Sequence, residues 1–168
     1  EHLCAAGLKR PLVVTDKGVA ALPMTGEFVA QLGAAGPAPA LFGGVFGNPT
    51  SGQVRAGVEA YRAHGADGVV GLGGGAALDV AKSVALMAVH PGDILDYAWD
   101  HPKRAEVRQP LPYFVALPTT AGTGSEVGRS AVISHDETHI KKIVFSPALL
   151  ARAVFADPEL TLGLPPAI

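Results

Sequence analysis

The chain has 168 residues, 48% of them hydrophobic and 17% charged, with a formal net charge of −2. That length and apolar content allow a buried core and favour one domain, while the near-neutral charge leaves no basic footprint for nucleic acid or an anionic membrane. The lone cysteine, Cys4, excludes an internal disulfide framework and fits a reducing, cytoplasmic compartment.

Short apolar runs alternate with helical patterns, the mark of an α/β sheet built from crossover units. Leu12, Val13, Val14 and Thr15 read as a buried strand that turns at Asp16-Lys17-Gly18. In the weakly amphipathic stretch that follows, Pro23 and Gly26 are expected to act as breaks, leaving 27–35 as the firmer helix. A turn at 36–39 leads into a short second strand over 40–45.

Asn48-Pro49-Thr50 opens the clearest helix: Thr50 and Gln53 have capping-box spacing, and Gly65 stands where a left-handed stop is needed. Val54, Val58 and Tyr61 form its apolar face. Residues 68–72 read as the third strand, Gly73-Gly74-Gly75 as a loop, and 76–89 as a helix apolar almost all round. Its only polar groups are Asp79, Lys82 and Ser83, so it is expected to be packed on both sides.

The stretch 91–112, with four prolines, reads as a long surface excursion, its basic group Lys103, Arg104 and Arg108 solvated and broken by Glu106. A buried strand over 113–117 follows. Residues 130–134 and 142–146 form an antiparallel hairpin across the polar turn 135–139, and 153–156 is a last strand ending at Asp157-Pro158. The expected fold class is α/β: a Rossmann-like, mostly parallel sheet flanked by helices, with a β-hairpin insertion. No run of apolar residues approaches the roughly 20 needed to span a bilayer. The opening Glu1-His2-Leu3 also lacks the order of a signal peptide.

Three features carry chemistry. Three glycines between a strand and a helix let backbone approach a ligand closely, and the helix N-terminus turns its free N–H groups and positive dipole end to the same spot, which suits a pyrophosphate. The letters also fit the common dinucleotide fingerprint as Gly71-x-Gly73-x-x-Ala76. Two strands precede this loop, however, and no ordered segment with an acidic residue follows at the usual distance. The second feature, Pro118-Thr119-Thr120-Ala121-Gly122-Thr123-Gly124-Ser125-Glu126, follows a buried strand and so shares the carboxyl edge of a parallel sheet. It lacks both the Gly-Lys-Ser/Thr of a nucleoside-triphosphate loop and the frame of a nucleophile elbow. The third is Asp16, whose carboxylate could accept the hydroxyls of an adenosine ribose and repel a 2′-phosphate.

These pieces, with Val14-Thr15-Asp16-Lys17, Asn48-Pro49-Thr50, Lys141-Lys142 and Asp157-Pro158-Glu159-Leu160-Thr161 before Leu164-Pro165-Pro166, fall in one order along nearly the whole chain. That order resembles the iron-containing (group III) alcohol dehydrogenase family. The resemblance implies an N-terminal NAD(P)-binding α/β domain like that of dehydroquinate synthase, spanning 1–168, and a C-terminal all-helical domain that this chain lacks. It implies NAD, with NADP possible, as cofactor; a divalent iron or zinc in the full-length enzyme; and a small alcohol or carbonyl substrate. It further implies a homodimer, with no nucleic-acid or membrane partner.

By the same resemblance Asp16 faces the adenosine ribose, and Asn48 and Pro49 line the adenosine side. Gly73, Gly74, Gly75 and Ala76 hold the pyrophosphate, with Asp79 on the same helix counted among the cofactor residues. Thr119, Thr120 and Thr123 approach phosphate and nicotinamide, Lys141 (or Lys142 if the register slips by one) reaches the nicotinamide ribose, and Leu160 packs near the adenosine. Two departures stand out: Ala76 replaces the family's usual serine, and Gly128 lies where some members carry a hydroxyl. The family's metal ligands, an Asp and three His, belong to the helical domain, so no metal or catalytic residue is expected here, and the chain by itself is expected to be inactive. His135 and His139 have i, i+4 spacing but fall in a turn. Maleylacetate reductase and glycerol dehydrogenase are the neighbouring enzyme readings, and a non-catalytic nucleotide-binding module is the reading from another class.

Overall fold

Apolar, β-branched runs make the strands of the main sheet. In the computed structural model, which describes residues 1–164, β1 (Pro11–Asp16), β2 (Ala40–Val45), β3 (Gly68–Gly73), β4 (Tyr113–Pro118) and β7 (Ala153–Val154) form one parallel sheet in the order β2-β1-β3-β4-β7. Val13, Val14, Val69 and Val70 have no exposed surface, because both faces are covered. Strands buried on two sides read as continuous apolar runs rather than alternating ones, as they do here.

One face packs Leu12, Val14 and Val69 against α4 (Ser51–His64) and α5 (Gly75–Val89). The other packs Val13, Val70, Leu72 and Val115 against α1 (His2–Ala5) and α3 (Pro23–Ala34), while α2 (Lys17–Ala20) is a single turn directly after β1. Ten of the fifteen residues of α5 are buried, because it also contacts the separate hairpin of β5 (Ser130–Ser134) and β6 (Lys141–Phe145). This is the two-sided packing its sequence requires.

Several local expectations are corrected. Pro23 does not break α3 but begins it, at the first helical position, where its missing N–H costs nothing because that donor has no partner in any helix. Gly26 is carried inside the helix. Only half of the expected capping box forms: Thr50 Oγ1 accepts the Gln53 amide at 3.3 Å, but the Gln53 side chain donates instead to Phe46 O at 2.8 Å. A reciprocal box appears where none was expected, in the excursion. There Asp93 and Asp96 cap each other across a 3-10 turn at Ile94–Tyr97.

Gly65 ends α4 at φ 63, as its position demands. His90, buried after α5, accepts the amides of Arg108 and Gln109 at Nε2, both at 3.0 Å, and so folds the excursion back onto the helix. Strand β6 starts one residue earlier than expected, with Lys141 opposite Ser134. The last strand is only two residues long, because it pairs with Val115 and Ala116 alone. Pro165 and Pro166 lie outside the described residues. Among the described residues no helix is long and apolar enough to cross a membrane.

Candidate functional site

A parallel sheet gathers the ends of its strands on one edge, and ligands of open α/β sheets bind there. Strands β1, β3 and β4 are neighbours, so Asp16, the Gly73–Gly75 run and Thr119 leave the sheet side by side.

The glycines sit where several candidate residues converge. A β-carbon at Gly73, whose φ is +143, would stand 2.8 Å from Ala77 Cβ and 3.1 Å from Asp16 Oδ2. One at Gly74 would stand 3.2 Å from Thr120 Oγ1, and one at Gly75 would stand 3.3 Å from Thr123 Cβ. The run is thus a floor closed to a β-carbon at Gly73 and tight against Thr120 and Thr123 at Gly74 and Gly75, walled by Asp16, Thr120 and Thr123. Backbone ties hold the walls: Thr119, itself buried, donates its amide to Gly73 O at 3.0 Å.

The helix ends at this edge differ in what satisfies them. Asp16 Oδ1 caps α2 by accepting the Val19 amide at 2.9 Å. At α4, Thr50 provides the cap and Asp136 Oδ1 accepts the Gly52 amide at 3.0 Å. Helix α5 begins at Gly74 with no side-chain cap, so its first N–H groups and its dipole face the glycine floor. An anion is the natural partner for that arrangement. The floor that a β-carbon would fill and the uncapped helix end together fit a pyrophosphate. Ala76 supplies no side-chain hydroxyl, which leaves the work to backbone amides.

Behind this edge lies a buried polar cluster. Lys82 Nζ, wholly enclosed, donates to Gly128 O at 2.9 Å and Ser130 O at 3.0 Å. Asp79 accepts the Ser125 hydroxyl and, at 2.9 Å, the Val132 amide; its Oδ1 lies 3.9 Å from Lys82 Nζ. Burial pushes the Asp79 carboxyl up, against the Ser125 and Val132 hydrogen bonds and the Lys82 charge. Burial pushes the Lys82 ammonium down, against the attraction of Asp79 and Glu126. Both Asp79 oxygens are thus engaged by protein donors, and Asp79 acts on the threonine loop and the hairpin. Ser125 and Lys82 were not among the candidate site residues; nothing local in the sequence ties them together.

Other candidates lie apart from the glycine floor. Asn48 is exposed, and Pro49 O accepts the Ser134 amide at 2.8 Å. Leu160 packs over the α3 face of the sheet, in a groove of about 1020 Å³ lined also by Met24, Phe28 and Leu117. Lys142 pairs with Asp100 at 2.6 Å, whereas the side chain of Lys141, on the opposite face of β6, has no hydrogen-bond partner among the described residues. His135 and His139 belong to the hairpin turn: His139 has φ 55, and His135 Nδ1 accepts the amides of Glu137 and Thr138. Among the described residues no three His, Cys, Asp or Glu side chains are grouped to hold a metal.

The architecture is that of a helix-flanked parallel α/β domain with its candidate site at the carboxyl edge. The model of the iron-containing alcohol dehydrogenase family matches residues 1–158, and the chain belongs to that family. The 4-hydroxybutyrate dehydrogenase of Cupriavidus necator is 41% identical over 160 residues, which are 95% of this chain and 41% of that protein. A crystal structure of a 1,3-propanediol oxidoreductase superposes with a TM-score of 0.90 at 36% identity, over 99% of this chain and 42% of the other. Sulfoacetaldehyde reductase from Bifidobacterium kashiwanohense, solved in complex with NAD+, superposes with a TM-score of 0.82 at 31% identity, over 98% of this chain and 43% of that one. The chain therefore spans about two fifths of the length of the relatives it matches.

Proposed function

We propose that this chain is the NAD-binding domain of a metal-dependent alcohol dehydrogenase that moves a hydride between nicotinamide and a small alcohol or its carbonyl product. The observation that carries the reading is the uncapped N-terminus of α5 over the Gly73–Gly75 floor, faced by Asp16, Thr120 and Thr123. A pyrophosphate there takes the free amides of Gly75 and Ala76. Asp16, with one oxygen capping α2, offers its other to a ribose hydroxyl and repels a 2′-phosphate, which favours NAD over NADP. Asn48 and Pro49 flank the adenosine side, with Leu160 packed near the adenosine. Thr119, Thr120 and Thr123 line the path from phosphate to nicotinamide, and Lys141 reaches the nicotinamide ribose as a free cation. Asp79 positions Ser125 and β5 rather than touching the cofactor.

When bound, the divalent metal polarises the substrate oxygen. This chain holds and orients the nicotinamide at the other side of that chemistry. The whole protein is proposed to be a cytoplasmic homodimer, with residues 1–168 as its single NAD(P) domain and its metal ligands in a helical domain outside this chain. The chain by itself is proposed to be without turnover.

Titration of NAD and NADP against the whole protein, with and without added iron or zinc, tests the reading. NAD should bind more tightly than NADP, and Gly74→Val should abolish binding while leaving the far-ultraviolet circular dichroism unchanged. Unchanged NAD affinity in that variant would sink the proposal.

A further inference from the structure

We propose that Asp136 is a positioning residue for the nicotinamide half of the cofactor: it fastens the β5–β6 turn to the start of α4 and so sets where Lys141 stands. The proposal rests on the assignment of Lys141 to the nicotinamide ribose.

A lysine side chain is long and flexible, so its ammonium is only as well placed as the backbone that carries it. Lys141 is the first residue of β6, at the far end of the hairpin, directly opposite Ser134. The base of the hairpin is secured to α5, through Lys82 to Ser130 O and Asp79 to the Val132 amide. Farther along β6, Ile143 O accepts the Trp99 amide at 2.7 Å. The Lys142–Asp100 pair, at 2.6 Å, holds β6 beside Lys141, but none of these contacts holds the turn itself, residues 135–140.

The turn end has its own fastening. Asp136 Oδ1 accepts the Gly52 amide at 3.0 Å, and Oδ2 accepts the Ser51 hydroxyl and Arg55 Nη2, each at 2.7 Å. Arg55 Nη1 donates at the same time to Asp93 Oδ2 at 2.6 Å, joining the excursion to the same point. Beside it, the Ser134 amide donates to Pro49 O, and Thr50 and Ser134 form a parallel bridge. Within the turn, the His135 amide donates to Ile140 O and the His139 amide to His135 O, both at 3.0 Å, so a displacement at Asp136 is passed on to Lys141. The Asn48–Pro49 loop keeps a separate hold through Gln53 Nε2 to Phe46 O. Loss of the Asp136 carboxylate should therefore move Lys141 and leave the α5 cradle in place.

The experiment is a double-mutant cycle on the whole protein, with Asp136→Asn and Lys141→Ala, read by NAD and AMP titrations. Asp136→Asn should weaken NAD roughly two- to tenfold, leave AMP affinity unchanged, and add little once Lys141 is already Ala. If AMP weakens in step with NAD, or the two substitutions add fully, Asp136 is merely structural and the proposal fails. If Lys141→Ala leaves NAD affinity unchanged, the Lys141 assignment fails first and this proposal falls with it. Should Asp136→Asn not yield folded protein, Ser51→Ala removes one of the same hydrogen bonds and must give the same pattern at smaller size.

Discussion

Ser125 donates its hydroxyl proton to the carboxylate of Asp79, 46 residues earlier in the chain, and this one contact joins the threonine loop to the helix that carries the glycine cradle. Lys82, one turn further along α5, holds the same loop at Gly128 and the first residue of β5 at Ser130. Pyrophosphate cradle, threonine loop and hairpin are thus set at fixed spacing by side chains of a single helix.

Lys82→Met keeps much of the apolar stem but strands two partly buried carbonyls and removes the cation from Asp79. Removing one partner of a buried charged cluster costs about 3 kcal/mol or more. Urea unfolding should show a loss of that order, and a loss under about 1 kcal/mol would mean that Lys82 contributes no more than a surface lysine.

Asp16 has two roles that one substitution separates. Serine at this position can still cap α2 at the Val19 amide, so Asp16→Ser should change stability by about 0.5 kcal/mol or less. The charge that opposes a 2′-phosphate is gone, so the ratio of NADP to NAD affinity should rise. Titrations with both cofactors check this; an unchanged ratio places the ribose elsewhere.

His90 holds the excursion by accepting two amides at one nitrogen, while Nδ1 lies 3.0 Å from Leu86 O. His90→Ala leaves the Arg108 and Gln109 amides without that acceptor. Hydrogen exchange should accelerate at those two positions, and stability should fall by about 1 to 3 kcal/mol.

Asp136 gives the fold an acid dependence. Partial burial pushes its carboxyl up, but hydrogen bonds from Ser51, Thr50, Gly52 and Arg55 outweigh that and hold it well below the usual carboxylate range. The native state then binds fewer protons than the unfolded one, whose aspartates titrate near about 3.9. The stabilisation is therefore present above that pH and is lost as pH falls toward the folded-state value. Because the side chain is about one-third exposed, screening keeps the effect on the order of 1 kcal/mol. Unfolding of the native chain and of Asp136→Asn, compared from pH 7 to pH 3, should show a gap that begins to narrow below about pH 4.

Strands were legible in the sequence wherever burial on two faces left an unbroken apolar run, as in Val13-Val14 and Val69-Val70. Helix ends were legible where the stop is a backbone matter, as at Gly65. Pro23 is ambiguous in sequence because a proline marks either a break or a beginning, and only the residues around it in space decide which. The Asp93–Asp96 box has no sequence signature, because it opens a single 3-10 turn with no apolar period behind it.

At the candidate site, Asp16 and the glycines lie at strand ends, where topology alone brings them together. Ser125, Lys82 and Asp136 act across separations of 43 to 85 residues, which no local pattern encodes. The polar stripe on α5 did mark Asp79 and Lys82 as exceptional, though not what they hold.

The pairing of Gly68 with Tyr113 joins residues 45 positions apart in the chain, with α5 and the whole excursion between them. Closing so long a loop costs entropy before any ladder bond can form. Parallel sheets built this way form slowly for their size. The pairing of Pro11 with Gly68 spans still more, 57 positions, so β3 is joined to both of its neighbours only through long loops. Until those loops close, the backbone edges of β3 are open to wrong pairings with other copies of the chain.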